Sequence, residues 1–145
     1  MTALMQQDKK RDIYLPQPAT VTRKSALTGM ETFFELKLES TKPLGHKPGQ
    51  FVEVSLAGIG EAPISVSSAP SDADVFELVV RRAGSLTNAM SALSAGDKVG
   101  IRGPFGTSFP VDGAMLGREL IFVCGGIGLV PVANILSIWL MAAMS

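Results

Sequence analysis

Apolar and polar residues alternate over most of the chain as far as Arg102, in short runs that glycine- and proline-rich turns separate. The alternation is clearest over residues 34–39 and 75–82, where apolar residues recur at every second position. A period of two is typical of strands that bury one face. The pattern predicts strands over residues 19–24, 34–39, 50–56, 62–67, 75–82 and 98–102. Short strands at near-regular spacing, with only one helix among them, predict a small antiparallel barrel or sandwich.

The strand over residues 75–82 turns through glycine into that one helix. The chain breaks at Gly84, and apolar residues at helical spacing then follow as far as Leu93, after a first turn that holds Ser85 and Thr87. A helix N-terminus reached in this way presents unpaired N–H groups and the positive end of the helix dipole. Such an arrangement binds phosphate.

Two arginines add permanent positive charge at the same turn. Arg81 and Arg82 directly precede it, and arginine pairs with phosphate through several N–H groups. The same residues also suit an ordinary strand, turn and capped helix with two solvated arginines. From this stretch alone both interpretations stand, so the phosphate site is a hypothesis.

The chain changes character after Gly117. Residues 120–124 form a continuous apolar run, which predicts a strand buried on both faces in a parallel sheet. A glycine-rich turn and Pro131 follow, and then an apolar helical segment. This order is that of the first βα unit of a doubly wound nucleotide-binding domain, which we expect to be incomplete here. The predicted organisation is an N-terminal arm over residues 1–14, a barrel over 15–112 and the start of an α/β domain over 118–145.

The composition removes several function classes. A formal net charge of +0 gives no electrostatic reason to bind nucleic acid. One cysteine and one histidine exclude an internal disulfide and a four-cysteine zinc or iron–sulfur site within the chain, and argue against a cysteine–histidine catalytic pair. We expect His46, among lysines and prolines, to be a solvated loop residue, and Cys124 to be a small apolar residue that ends a buried strand.

Both ends of the sequence bear on where the protein is located. Residues 1–12 are polar and mixed in charge, so they do not form a secretory signal, and a cytoplasmic protein is expected. Residues 120–145 carry no charged side chain and are long enough to span a membrane. Three glycines, Pro131 and Asn134 interrupt this run and no positive charge follows it, so no membrane span is expected.

Six short motifs occur in an order that matches a known family. They cover residues 13–16, 47–52, 60–68, 80–90, 103–106 and 125–131. In this order, over about residues 13–136, the chain resembles the ferredoxin–NADP reductase superfamily, in which an antiparallel flavin-binding barrel precedes a nucleotide-binding domain. The motifs are most similar to the FAD- and NAD(P)-binding gamma subunit of sulfhydrogenases and other NAD(P)-linked hydrogenases. The anaerobic sulfite reductase B subunit and the electron-transfer subunit of dihydroorotate dehydrogenase resemble it more distantly.

The flavin motif of that family is Arg-x-Tyr-Ser, and residues 62–65 occupy its place. Ser65 matches, which implies a catalytic hydroxyl near the flavin N5 atom, where a hydride arrives. Ala62 replaces the arginine that holds phosphate, and Ile64 replaces the tyrosine that stacks on the ring. The phosphate is then left to the turn over residues 84–87, helped by Arg81 or Arg82. A serine bonded to a neighbouring strand is the alternative interpretation of Ser65.

The resemblance implies two sets of binding residues. Those for FAD are Ala62, Pro63, Ile64, Ser65, Val80, Arg81, Arg82, Gly84, Ser85, Leu86 and Thr87. Those for NAD(P) are Gly125, Gly126, Ile127, Gly128 and Pro131. For these five, close packing between strand and helix is the structural alternative, and it is also part of the binding interpretation.

The function implied by the resemblance is that of an electron-transfer flavoprotein, a FAD-dependent NAD(P)H oxidoreductase subunit. FAD is its cofactor and NAD(P)H its substrate, and the electrons pass to an iron–sulfur cluster. With one cysteine here, that cluster would lie in a missing C-terminal region or on a partner. The expected partners are iron–sulfur and hydrogenase- or reductase-type subunits of a hetero-oligomer.

One alternative is not an enzyme at all. A barrel from an interrupted gene would fold without catalysis and would bind FAD weakly or not at all. Even on the first interpretation, an incomplete nucleotide domain implies that the chain is incompetent for turnover alone.

Overall fold

The strands form one antiparallel sheet in the computed structural model of the chain. The structure describes residues 13–111 and 118–143, except for the side chains of 138–143. The strands are β1 Gln17–Ala26, β2 Glu31–Leu38, β3 Phe51–Leu56, β4 Gly60–Ser65, β5 Val75–Arg81 and β6 Lys98–Phe105. The helices are α1 Ser85–Ala92 and α2 Leu129–Ala143, and a 3-10 turn covers Gly126–Gly128.

The sheet curls until its two edges nearly meet. Its strand order is β4-β3-β6-β1-β2-β5, and every neighbouring pair is antiparallel. A bridge between Val66 and Leu78 joins the edge at β4 to the edge at β5. Closure removes the open edges that a flat sheet would expose. The predicted six-stranded antiparallel barrel is therefore confirmed.

Most of the core consists of side chains that the period of two assigned to the inner face of the strands, and a loop and helix α1 supply the rest. The buried apolar residues are Ala19, Val21, Phe34, Leu36, Leu38, Leu44, Val52, Val54, Val66, Phe76, Leu78, Val80, Leu86, Met90, Val99 and Ile101. Leu86 and Met90 come from α1, so this helix closes the barrel with the apolar face that its spacing predicted. The barrel thus has a core of its own, without help from α2.

Strand ends differ from the prediction because pairing continues beyond the alternating core. β2 begins at Glu31 rather than at Phe34, since Glu31 and Thr32 pair with Arg81 and Val80 of β5. Ladder hydrogen bonds use backbone groups, so polar residues extend a strand wherever a partner lies alongside. β6 likewise continues to Phe105, opposite Phe51 of β3.

Lys24 on β1 holds the C-terminal end of α1. Its Nζ atom donates to the carbonyl oxygens of Ser91 at 2.6 Å and Leu93 at 2.8 Å. These carbonyls have no partner within the helix, and a cation there also complements the helix dipole. The position of α1 on the barrel therefore depends on a residue far away in the sequence.

Replacing Lys24 with methionine is expected to lower the free energy of unfolding by about 2 kcal/mol, because two carbonyls lose a charged donor. Urea denaturation of the purified chain measures this. Lys37→Met is the matched control, since the Lys37 ammonium makes only a surface ion pair with Asp74, at 3.4 Å. Its loss is expected to be within about 1 kcal/mol. Equal losses of unfolding free energy in the two variants would show that the contacts of Lys24 with the α1 carbonyls stabilise the chain no more than a surface ion pair does.

His46 is buried, so the prediction of a solvated loop residue was wrong. Its Nε2 atom lies 2.9 Å from the carbonyl oxygen of Ser68. A carbonyl only accepts, so Nε2 carries the proton in this bond. Leu44 in the same loop is also buried, which shows that the loop folds back onto the barrel. The prediction relied on the polar residues next to His46 in the sequence, and these do not show that the loop packs against the barrel.

The predicted strand over residues 120–124 is not formed. Residues 119–125 belong to no strand, and the side chains of Ile121 and Val123 are 90% and 94% exposed. A parallel strand needs a neighbour to pair with, and none lies alongside in the described part of the chain. Cys124 is exposed for the same reason, so its predicted burial was also wrong.

The helical half of this predicted unit is present as α2. Asn134 and Ile135 on this helix are buried. Over the described ranges, no helix combines the length and the apolar character that crossing a bilayer requires.

Candidate functional site

Two adjoining cavities lie where the end of β4, the end of β5 and the start of α1 meet. The first cavity has a volume of about 360 Å³, and the second about 410 Å³. The first is lined by Pro63, Ile64, Ser65, Val79, Val80, Arg81, Ala83, Thr87, Ile127, Gly128, Val130 and Pro131. The second is lined by Ile59, Gly60, Glu61, Ala62, Ala83, Gly84, Ser85, Leu86 and Thr87. Ala83 and Thr87 line both, so together they form one continuous surface.

The cavities bring together most of the residues that the sequence proposed for FAD. Of the predicted FAD set, only Arg82 lines neither cavity. Of the predicted NAD(P) set, Ile127, Gly128 and Pro131 face the first cavity across from β4, whereas Gly125 and Gly126 do not line it. The cavities are also lined by residues that lie within or beside the matching motifs but were not predicted to bind a cofactor: Ile59, Gly60, Glu61, Val79, Ala83 and Val130.

From Ala62 to Ser65, the residues of β4 alternate between half-buried and exposed. Ala62 and Ile64 are half-buried and pack against the core, while Pro63 and Ser65 are exposed. Among the described residues, no group forms a hydrogen bond with the hydroxyl of Ser65, so the bond to a neighbouring strand that was the alternative is not present. The hydroxyl is therefore available to a ligand in the first cavity. Ile64 lines this cavity with aliphatic rather than aromatic surface.

The turn before α1 is held in shape by Thr87. The Oγ1 atom of Thr87 accepts hydrogen bonds from the N–H groups of Ala83 and Gly84, both at 2.9 Å, and donates to the carbonyl oxygen of Gly84 at 3.1 Å. The side chain of Thr87 thus takes up two donors that a phosphate would otherwise use. In the described part of the chain, no group accepts from the N–H groups of Ser85, Leu86 and Thr87. Three donors at a helix N-terminus therefore remain for an anion.

Gly84 leaves open space in front of these donors. Its backbone is extended, with φ −164° and ψ −176°, so the conformation itself does not require glycine. A Cβ atom built at Gly84 would meet no other atom within 4 Å. A side chain there would fit the folded chain, but it would occupy the side from which a ligand reaches the turn. Close approach of a ligand to the backbone, rather than backbone conformation, therefore explains a glycine at this position.

The two arginines are bound to the β1–β2 turn rather than held free. The guanidinium of Arg81 lies 3.6 Å from the carboxylate of Glu31, and Arg81 is also one of the residues that line the first cavity. The guanidinium of Arg82 donates to the carbonyl of Gly29, away from both cavities. Of the two helpers that the sequence proposed, Arg81 is the one placed to meet a ligand.

The second cavity has no cationic side chain among its lining residues. Its one charged residue, Glu61, accepts from Arg102, with Nε to Oε2 at 2.7 Å. The hydrogen bond from Arg102 holds the pKa of the Glu61 carboxyl below its usual range, with help from the opposite charge. The positive charge of Arg102 therefore largely compensates the negative charge of Glu61. The main electrostatic attraction of the second cavity is then that of the N–H groups at the start of α1 for an anion.

The glycines at residues 125–128 shape the opposite wall of the first cavity. Gly128 donates its N–H to the carbonyl of Gly125 at 3.0 Å, which closes the 3-10 turn. Gly126 has φ +54°, a left-handed conformation that favours glycine. These contacts bring Gly128 and Pro131 to the cavity. Gly125 and Gly126 thus act on the site through the shape of the turn.

A family model for the oxidoreductase FAD-binding domain matches residues 18–109, which is almost the whole barrel. The gamma subunit of sulfhydrogenase 2 from Pyrococcus furiosus is 39% identical over 126 residues, covering 85% of this chain and 43% of that protein. A probable dihydroorotate dehydrogenase B electron transfer subunit from Methanocella arvoryzae is 32% identical, covering 81% of this chain and 42% of its own length. The chain thus spans less than half the length of these curated relatives.

Solved structures with the same fold include two reductases. The ferredoxin reductase of carbazole 1,9a-dioxygenase has a TM-score of 0.78 at 23% identity, over 88% of this chain and 39% of that one. A cytochrome P450 reductase from Amycolatopsis has a TM-score of 0.75 at 30% identity, over 86% of this chain and 39% of its own. The predicted resemblance to ferredoxin reductases and to sulfhydrogenase gamma subunits is confirmed.

Proposed function

The chain belongs to the oxidoreductase FAD-binding domain family, and we propose that it is the flavin-binding, electron-transfer part of an NAD(P)H-linked oxidoreductase of hydrogenase or sulfhydrogenase type. The observation that carries this proposal is the continuous surface of the two cavities. It joins three free N–H donors at a helix N-terminus to an apolar cavity that contains an unbonded serine hydroxyl.

The residues present fit FAD. The diphosphate suits the second cavity, where the N–H groups of Ser85, Leu86 and Thr87 point at an anion and Gly84 leaves room for it. The isoalloxazine ring suits the first cavity, whose walls are largely aliphatic. Because neither cavity is lined by an aromatic side chain, and the second by no cation, we expect micromolar rather than nanomolar affinity.

FAD held in these cavities would supply the redox chemistry, namely hydride acceptance from NAD(P)H and release of single electrons. The role of the chain is to hold and orient the cofactor. In this proposal the hydroxyl of Ser65 would be available for a hydrogen bond to the flavin ring, and Gly128 and Pro131, on the opposite wall, would line the side on which the nicotinamide binds. The side chain of Ile64 limits the access of water to one face of the ring.

The partners in this proposal are an iron–sulfur subunit and a hydrogenase- or reductase-type subunit, in the cytoplasm. Cys124 is the only cysteine of the chain, so the ligands of a cluster would come from elsewhere. The names of the relatives, a gamma subunit and an electron transfer subunit, support assembly of this kind.

Titration with FAD tests the proposal directly. Purified chain incubated with FAD is expected to elute from gel filtration with flavin absorbance, and to quench flavin fluorescence with a micromolar Kd. FMN and riboflavin, which both lack the adenosine and differ only in the phosphate, are the controls; riboflavin is expected to bind more weakly than FMN, because the N–H donors of α1 then have no anion to bind. Protein that stays colourless at high micromolar FAD would contradict the proposal.

A further inference from the structure

Asn134 is a polar residue without exposed surface in the apolar helix α2. Its Nδ2 atom lies 3.5 Å from the carbonyl oxygen of Val66, at the end of β4. Because that carbonyl only accepts, the contact fixes which end of the amide is nitrogen. The Oδ1 atom is buried and has no hydrogen-bond partner in the described part of the chain.

An unsatisfied amide oxygen inside a protein is costly, and such groups call for an explanation. An apolar side chain at position 134 would avoid the cost. Among the described residues, the bond between Asn134 and Val66 is also the only hydrogen bond that joins α2 to the barrel. Asparagine at position 134 therefore costs stability, and the interaction gained is the contact of its amide with the carbonyl of Val66.

The contact joins the two walls of the first cavity. Val66 directly follows Ser65 on one wall, while Val130 and Pro131, on the other, lie one helical turn before Asn134. A bond between Val66 and Asn134 thus sets how far Ser65 lies from the glycine turn. Releasing it would let α2 move away and open the cavity to solvent.

We infer that Asn134 is a positioning residue that clamps α2 onto β4 and fixes the width of the cavity between the flavin strand and the nicotinamide-side turn. The inference rests on the proposed function for what the cavity holds, but not for the clamp itself. A positioning role differs from a stabilising one, because its removal widens the cavity without unfolding the barrel.

The test compares wild type with Asn134→Leu, which has the same branched shape and no polar atom, and with Asn134→Ser, whose shorter side chain retracts from Val66. We expect the melting temperature of the apoprotein to stay within a few degrees in both variants. Amide hydrogen exchange over residues 126–134 is expected to accelerate about fivefold, the equivalent of a hydrogen bond of about 1 kcal/mol. Iodide quenching of bound flavin is expected to increase, because the ring becomes more accessible.

Ser137→Ala is the matched control, since Ser137 bonds only within the helix, to the carbonyl of Ala133 at 3.0 Å. It is expected to change none of the three measurements. Unchanged exchange and quenching in both variants, or loss of folding in both, would overturn the inference, since Asn134 would then have no role or a purely stabilising one. Hydrogen exchange needs no cofactor, so if wild type binds no flavin, the clamp is still tested while the proposed function fails.

Discussion

Valine in place of Gly84 is expected to weaken FAD binding by at least about 100-fold, because its side chain blocks the diphosphate from the donors of α1. A Cβ atom at this position meets no other atom within 4 Å, and the backbone is extended, so the folded chain tolerates a side chain here. The barrel should therefore keep its melting temperature. Equilibrium titration of both proteins with FAD, next to thermal unfolding of both apoproteins, measures the two effects separately.

Two controls accompany this variant. Gly29→Val places the same side chain at another glycine with open space around it, in the β1–β2 turn away from both cavities, and should leave binding unchanged. Arg82→Ala removes a guanidinium that is bound to Gly29 and should cost less than tenfold. If Arg82→Ala weakens FAD as much as Gly84→Val does, the diphosphate lies nearer the β1–β2 turn than we propose.

The second large effect concerns association of the chain with itself. Ile121 and Val123 are almost fully exposed in a segment whose backbone has no strand partner in the described part of the chain. Apolar side chains and an open backbone together favour pairing with another copy. We expect the chain to self-associate, or to bind chaperones when expressed, and light scattering should show species larger than a monomer.

Deleting residues 118–145 is expected to give a monomer that still binds FAD, because the barrel core contains no residue of this segment. The double variant Ile121→Lys, Val123→Lys should also be monomeric. Leu27→Lys, at an exposed apolar residue of the β1–β2 turn, is the matched control and should not dissociate the assembly. A wild-type chain that is monodisperse and monomeric would show that the segment has a binding place within its own chain.

The barrel was predictable because the alternation of apolar and polar residues within each strand is enough to show which face of the strand is buried. A period of two places Phe34, Leu36 and Leu38 on one face whatever the neighbouring strand is, and burial on that face follows. The turn into α1 was predictable for the same reason, since Gly84 and the helical spacing after it lie within a few residues of each other.

Features that depend on distant partners were not predictable. The polar surroundings of His46 suggested solvent, whereas the carbonyl that it binds belongs to Ser68. The apolar run over residues 120–124 suggested a strand, but a strand exists only with a neighbour to pair with. In the site itself, the sequence placed Arg81 and Arg82 together, and only the contacts to Glu31 and Gly29 separate their roles.

The hydroxyl of Thr87 has a kinetic consequence. Because it bonds Ala83 and Gly84 within the chain, the turn that we propose for the flavin diphosphate is held in one shape without a ligand. A preorganised site spends little conformational entropy on ordering, so association needs no slow rearrangement of the loop. Differences in affinity among variants of the second cavity should therefore appear in the rate at which flavin leaves, while the rate at which it arrives stays nearly constant.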